Sequence, residues 1–388
     1  MSEKRSYPHV RVAGDPYERG RAYGEQAAER VVRSVEGYRD VFRELAGLDT
    51  EGARRLARSF EEAIARFRPA YLEEIRGIAE GAGVPYEDVL AINVRTEVMF
   101  AARARSAEAS GRVDACSAFA VLPEASAEGH TLIGQNWDWL PHCSDTVVVL
   151  EVEQPDAPDF VTVVEAGLLA KTGMNSSGIG LATNALVTDG DRGEPGVPYH
   201  ALLRAILDCE TLSDAYAVLM ERPRASSANY LIAHRDGIAV DVEAAPGDFS
   251  RMSLVFPDQG VLLHTNHFLA LPAGLKDVSL WAMPDSPFRL ERLRTAVAGA
   301  RSGGLTLEAF GAMLADHANY PSGVCCHADR RMRPADQGAT VASVLMDLDA
   351  RELWIADGHP CRTPYRRLDY AGFLSKPSPV REDLLRSD

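Results

Sequence analysis

Cys116 stands where the chain changes texture. A small, polar stretch, residues 105–114, leads up to it, and short runs rich in β-branched residues follow. A second such run leads into Asn136-Trp137-Asp138-Trp139, so two adjacent strands would bring Cys116 and Asp138 close together. A cysteine thiolate attacks an amide or thioester carbonyl and holds the acyl group as a thioester. An α-amine has a pKa of about 7.7–8.0 and is partly neutral at pH 7. If Cys116 were the first residue of a chain, its own amine would take the thiol proton, and Asp138 would position and stabilise the resulting ammonium. That chemistry requires no histidine. The plainer alternatives are a core cysteine and a turn-capping aspartate.

The elements around these residues divide into two textures. Residues 15 to 110 read as helical: Asp15-Pro16 supplies a cap with proline at the first helical position, and Val35, Tyr38, Phe42 and Leu45 recur at helical spacing. From Cys116 onward the spacing predicts strands over 117–122, 131–135, 146–152, 160–164 and 179–183. Helices are expected near 198–208 and 212–221. Further strands follow over 230–233, 238–242, 252–256 and 261–264, then helices near 288–300 and 306–316, and last strands over 341–346 and 353–355. Strands bunched around helical blocks point to an α+β layered sandwich.

The bulk numbers narrow the partners. With 46% hydrophobic and 25% charged residues, the 388-residue chain has the balance of a globular protein with a substantial core. A net charge of -15 and a pI near 5.2 argue against nucleic-acid and anionic-membrane partners. There is no leader-like apolar segment or membrane-span pattern, so the cytoplasm is the expected location. Six cysteines are too few for a disulfide scaffold, and none forms a CxxC. Cys325-Cys326-His327 suggests a metal or Cys–His pair but lacks neighbouring ligands, so no metal is expected. Without a nucleotide loop or HExxH, no cofactor is expected either.

Several motifs together resemble the acyl-coenzyme A:6-aminopenicillanic acid acyltransferase (C45 peptidase-like) family and, more distantly, the bile salt hydrolases and penicillin V acylases. They are Gly14-Asp-Pro-Tyr-Glu-Arg-Gly-Arg-Ala-Tyr-Gly24, Asp114-Ala-Cys-Ser, Gly134-Gln-Asn-Trp-Asp-Trp139, Met174 to Asn184, Ala225-Ser-Ser-Ala-Asn-Tyr230, His264-Thr-Asn-His267 and Asp285-Ser-Pro-Phe-Arg289. The resemblance covers nearly the whole chain. It implies an N-terminal-nucleophile (Ntn) hydrolase, a four-layer αββα sandwich made as a precursor that cuts itself between Ala115 and Cys116. Residues 1–115 would become a helical α chain and 116–388 the catalytic β chain, associated as one integrated domain; a homo-oligomer is open. Asn266 would correspond to an oxyanion-hole asparagine, and Asn184 lies in a similar position. The expected substrate is a small N-acyl compound.

The sequence departs from the pattern at Ala115, where many relatives carry glycine. Gln135 and Gln337 stand where relatives place arginines, with Arg330, Arg331 and Arg333 as nearby substitutes. Trp137, Ser227 and His267 are candidates to line the substrate pocket; packing, a turn and a structural role beside Asn266 are the respective alternatives. Acyl transfer to an amine uses the same thioester as hydrolysis, which leads. A Cys–His hydrolase using Cys116 or Cys326, and a retired scaffold that only binds a ligand, are the competing readings.

Overall fold

The computed structural model describes residues 6–99, 115–300, 304–333 and 336–376. The expected connector at 105–114 and the end of the expected helical segment lie outside the described residues.

Asp15 caps the helix Pro16–Gln26 by accepting from the Glu18 N–H at 2.9 Å, as the Asp-Pro signal predicts. That helix crosses the helix Pro69–Ala82 at backbone contact. A Cβ on Gly20 would lie 2.1 Å from the Glu74 carbonyl oxygen, and one on Gly77 would lie 2.2 Å from that of Tyr17. The opening glycines are therefore a packing requirement, since no larger residue lets the two backbones approach so closely.

The strands in chain order are β1 (His9–Val12), β2 (Ala115–Val121), β3 (Leu132–Trp139), β4 (Val147–Val152), β5 (Phe160–Glu165), β6 (Thr172–Asn175) and β7 (Ile179–Ala185). They continue with β8 (Ala228–His234), β9 (Ile238–Ala244), β10 (Met252–Val255), β11 (Val261–His264), β12 (Ala339–Asp347), β13 (Glu352–Ala356) and β14 (Arg366–Asp369). One sheet has the order β1-β4-β5-β6-β7-β8-β9-β10 and the other β11-β2-β3-β12-β13-β14. Among the described strands only the β1–β4 pairing is parallel; it stitches residues 9–12 into the first sheet.

The two sheets pack face to face through β2, β3 and β7. The helix Tyr199–Leu207 covers β6 and β7 on the far side of the first sheet. The helices Ser286–Ala300 and Leu307–Leu314 cover the second. The result is the expected αββα layering. Alternation along β2 shows how it is built. Cys116, Ala118 and Ala120 belong to the core between the sheets, while Phe119 and Val121 join Val297, Phe310 and Leu314 beneath the helices. Phe119 stacks on Phe310 with ring centres 3.7 Å apart. Both faces of the strand are covered, so it reads as a continuous apolar run.

Three strands escape the sequence pattern. β1 and β6 have only four residues each, and β6 contains a glycine. β14, Arg-Arg-Leu-Asp, is a charged edge strand that reads as a loop. β3 extends four residues past its expected end at Gln135, because Asn136 to Trp139 stay in register with both β2 and β12.

Candidate active site

Cys116 is the second residue of β2 and is 1% exposed. In the ladder with β3 it faces Trp137, while Ala115 faces Asp138. The pleat thus turns the aspartate to the same face as Ala115. Asp138 accepts from the Thr340 hydroxyl of β12 at 2.5 Å.

Beyond His264, β11 gives way to Asn266, whose side chain takes over the ladder: its Oδ1 accepts from the Cys116 N–H at 2.7 Å. The Asn266 N–H donates to Ser286 Oγ at 2.7 Å, and its Nδ2 donates to the Ala185 carbonyl at 3.0 Å. Arg289, one turn into the helix Ser286–Ala300 and 1% exposed, completes the clamp. Its guanidinium donates to the Cys116 carbonyl at 2.7 Å, to Ser117 Oγ at 3.0 Å and to Asn266 Oδ1 at 2.9 Å, while Nε pairs with Asp285 at 2.8 Å. Burial works against its charge, but Asp285 and Asp138 outweigh that and raise its pKa. The side chains of Asn266 and Arg289 therefore hold Cys116 at its nitrogen and its carbonyl.

A second network runs behind Asn184, near the end of β7. Asn229 Nδ2 donates to Asn184 Oδ1 at 3.1 Å and to Asp241 Oδ1 at 2.6 Å. These bonds fix the Asn184 amide with Nδ2 facing away from Asn229, and that Nδ2 is buried without a hydrogen-bond partner among the described residues. An oriented, unpaired buried donor is what a developing oxyanion requires. Burial raises the Asp241 carboxyl to about 6. His264 sits between two acceptors, Glu243 Oε1 at 2.7 Å and the Thr265 carbonyl at 2.6 Å. Only an imidazolium donates to both. Burial disfavours that charge, but Asp241 and Glu243 outweigh it and raise the histidine pKa.

Residues 125–362, more than half of the chain, match the family described as acyl-coenzyme A:6-aminopenicillanic acid acyl-transferase. The chain belongs to that family. The matched segment begins after Cys116 and contains Asp138, Asn184, Asn266 and Arg289. Over 353 residues the chain is 28% identical to the acyl-coenzyme A:6-aminopenicillanic-acid-acyltransferase 40 kDa form of Emericella nidulans, covering 91% of this chain and 93% of that protein. Among solved structures it is similar to a variant of conjugated bile acid hydrolase from Clostridium perfringens, with a TM-score of 0.46, 14% identity, and coverage of 68% of this chain and 95% of the other. It is also similar to penicillin V acylase from Agrobacterium tumefaciens, with a TM-score of 0.39, 14% identity, and coverage of 68% and 89%. Membership in the acyl-transferase family makes the chain an enzyme of the acyltransferase type.

Within that family frame, the departures acquire a physical reading. Gln135 is fully buried, and its Oε1 accepts from Thr172 Oγ1 at 2.8 Å and the Thr183 N–H at 2.7 Å. It closes the gap where β6 and β7 part, and arginine, which only donates, does not fill that role. Gln337 donates to the Met332 carbonyl at 3.0 Å and lines a cleft of about 520 Å³ with Leu140, Pro141 and His142. Of the nearby arginines, Arg331 and Arg333 pair with Asp329 and Asp336 on the surface. The guanidinium at Cys116 is that of Arg289, which the sequence showed only as the end of a motif. Its signal was the i, i+4 spacing from Asp285, the residue just before the helix Ser286–Ala300.

The pocket candidates separate. Trp137 is buried beneath Lys171, whose Nζ lies 4.6 Å from the ring centre, so it packs. The Ser227 hydroxyl donates to Asp191, closing the turn before β8. His267 is half-buried beside Asn266, 2.8 Å from Ser286 Oγ, and burial lowers its pKa. Among the described residues, no helix is long and apolar enough to cross a membrane.

Proposed function

We propose that this chain is a self-processing cysteine Ntn hydrolase that cleaves the amide bond of a small N-acyl compound. The observation that carries the reading is the clamp on the Ala115–Cys116 peptide. Asn266 holds its nitrogen, Arg289 holds the next carbonyl, and Asp138 lies opposite the residue that would leave.

Self-cleavage begins with the Cys116 thiol attacking the Ala115 carbonyl carbon. The C–N bond breaks as the acyl group moves to sulfur, and water then releases residues 1–115 as a carboxylate. The nitrogen left on Cys116 keeps Asn266 Oδ1 as acceptor and gains the vacated space opposite Asp138, which stabilises its ammonium form. As neutral amine it takes the thiol proton in turnover. Asn184 Nδ2 donates to the tetrahedral oxyanion; Asn266, with its own Nδ2 bonded to Ala185, chiefly positions the nucleophile. Water resolves the thioester. The nearly complete burial of Cys116 in the uncut chain fits a precursor that opens on cleavage.

Transfer to an amine is the second reading, favoured by the likeness to an acyltransferase from Emericella nidulans. It differs only in what reaches the thioester first.

The test is intact mass spectrometry of wild type beside Cys116→Ala. Masses for residues 1–115 and 116–388 in the wild type, and one full-length mass in the variant, are expected. A single full-length mass in both, persisting in Ala115→Gly, would refute self-processing.

A further inference from the structure

The sequence offered only the run Cys325-Cys326-His327 as a metal candidate, without further ligands. The fold corrects that reading by adding His317 from one side and Cys361 from the other. The four ligating atoms, two histidine Nε2 and two cysteine Sγ, lie within 4.8 Å of one another. His327 Nε2 is 3.1 Å from His317 Nε2, 3.5 Å from Cys325 Sγ and 3.5 Å from Cys361 Sγ. Hydrogen bonding does not account for this convergence. An imidazole nitrogen has a single in-plane position, either one proton or one lone pair, and serves one strong partner there. Three polar atoms crowd that one position.

An ion at the centre accounts for all three contacts. With Zn–S near about 2.3 Å and Zn–N near about 2.0–2.1 Å, a tetrahedron has N···S edges of about 3.5 Å and N···N edges of about 3.3 Å. The distances found are 3.5, 3.5 and 3.1 Å. We propose that His317, Cys325, His327 and Cys361 form a Cys2His2 zinc site. Two thiolates and two imidazoles favour zinc over hard, oxygen-loving cations. Four protein ligands leave no open position, so the ion is structural.

The placement gives the ion a task. Cys326, between two ligands, donates its N–H to Thr340 Oγ1 at 2.9 Å, and Thr340 donates to Asp138. Val324, just before the first cysteine, accepts from Asn136 Nδ2 at 2.8 Å. The ion ties the 317–327 loop to the 359–362 turn, and through them braces the strand that carries Asp138. His359 stacks on His327 at 4.3 Å and walls one side.

The experiment uses the full protein, purified, stripped with a chelator and dialysed against Zn2+. Elemental analysis is expected to find one zinc per chain, with that stoichiometry lost in Cys361→Ser and in His317→Ala. Cobalt loaded into stripped wild type is expected to give thiolate-to-cobalt charge-transfer bands and intense tetrahedral visible bands. Because uptake is read on wild type, a variant that fails to fold does not decide the matter. Wild type that takes up no zinc, or a Cys325–Cys361 disulfide found by peptide mapping in protein kept under reducing buffer, would overturn the proposal.

Discussion

Arg289 shows how a residue without reactive chemistry governs one that has it. Its three partners across the cleavage peptide and the Asp285 pair are all buried, so removing the guanidinium strands a carboxylate and frees Cys116. Breaking a buried pair in this way costs about 3–5 kcal/mol. Arg289→Ala is expected to melt well below wild type and to remain uncut by mass spectrometry; wild-type cutting would show that the clamp is dispensable. Asn184→Ala should cut normally yet lose about 10²–10³ in kcat with little change in KM, the loss typical of one oxyanion donor. An unchanged kcat would move the oxyanion hole elsewhere. Asp241 adds a pH signature. Its folded pKa of about 6 lies above the ordinary value of 3.8, so between those limits the native state holds more protons than the unfolded chain. Stability contributed by the protonated acid is therefore present below about pH 4 and lost as pH rises towards 6. In Asp241→Asn that fall, followed by denaturant melts across the range, should flatten.

At the scale of elements, the glycine crossing of the helices Pro16–Gln26 and Pro69–Ala82 makes a sharp demand. Each added side chain at Gly20 or Gly77 meets backbone, which does not rotate away. Gly77→Val is expected to cost at least about 1–3 kcal/mol, the usual range for overpacking, read as a lowered melting temperature; an unshifted melt would mean that the helices part freely. The same crossing explains how much was legible in the sequence. Alternating strands and capped helices carry their own local signals, so most of β2 to β13 and the later helices were readable. β14 was not, because its Arg366 and Arg367 suit an exposed edge as well as a loop. The candidate site was readable where motifs carried it, at Cys116, Asp138, Asn184 and Asn266. Arg289 and the Asn229–Asp241 pair were given no roles, since only the fold brings a helix turn and β8 and β9 beside those residues. The same holds for His317 and Cys361, separated by more than forty positions and joined only when β12 and β13 bring the two loops together.

At the scale of the molecule, the proposed cut would divide a single core. β1 lies in the first sheet beside β4, and Tyr7 donates to the Val341 carbonyl of β12. Glu74, almost fully buried, bridges Arg19 of its own segment and Arg204 of the helix Tyr199–Leu207, with Nη–Oε distances of 2.6 and 2.8 Å. Arg95 pairs with Glu165 of β5 at 2.7 Å, where Tyr38 also donates. An interface that continues a domain core, with its charges paired, does not release its halves under native conditions. The two chains of cut wild type should therefore co-elute in gel filtration and separate only in denaturant. Their refolding tells more. Uncut Cys116→Ala is one chain, and its refolding rate should not depend on concentration. The cut protein must first bring two chains together, so its refolding should slow on dilution. A cut protein that refolds at one rate at every concentration would mean that residues 116–388 fold unaided, and that the helical segment is a guest on a finished structure rather than part of it.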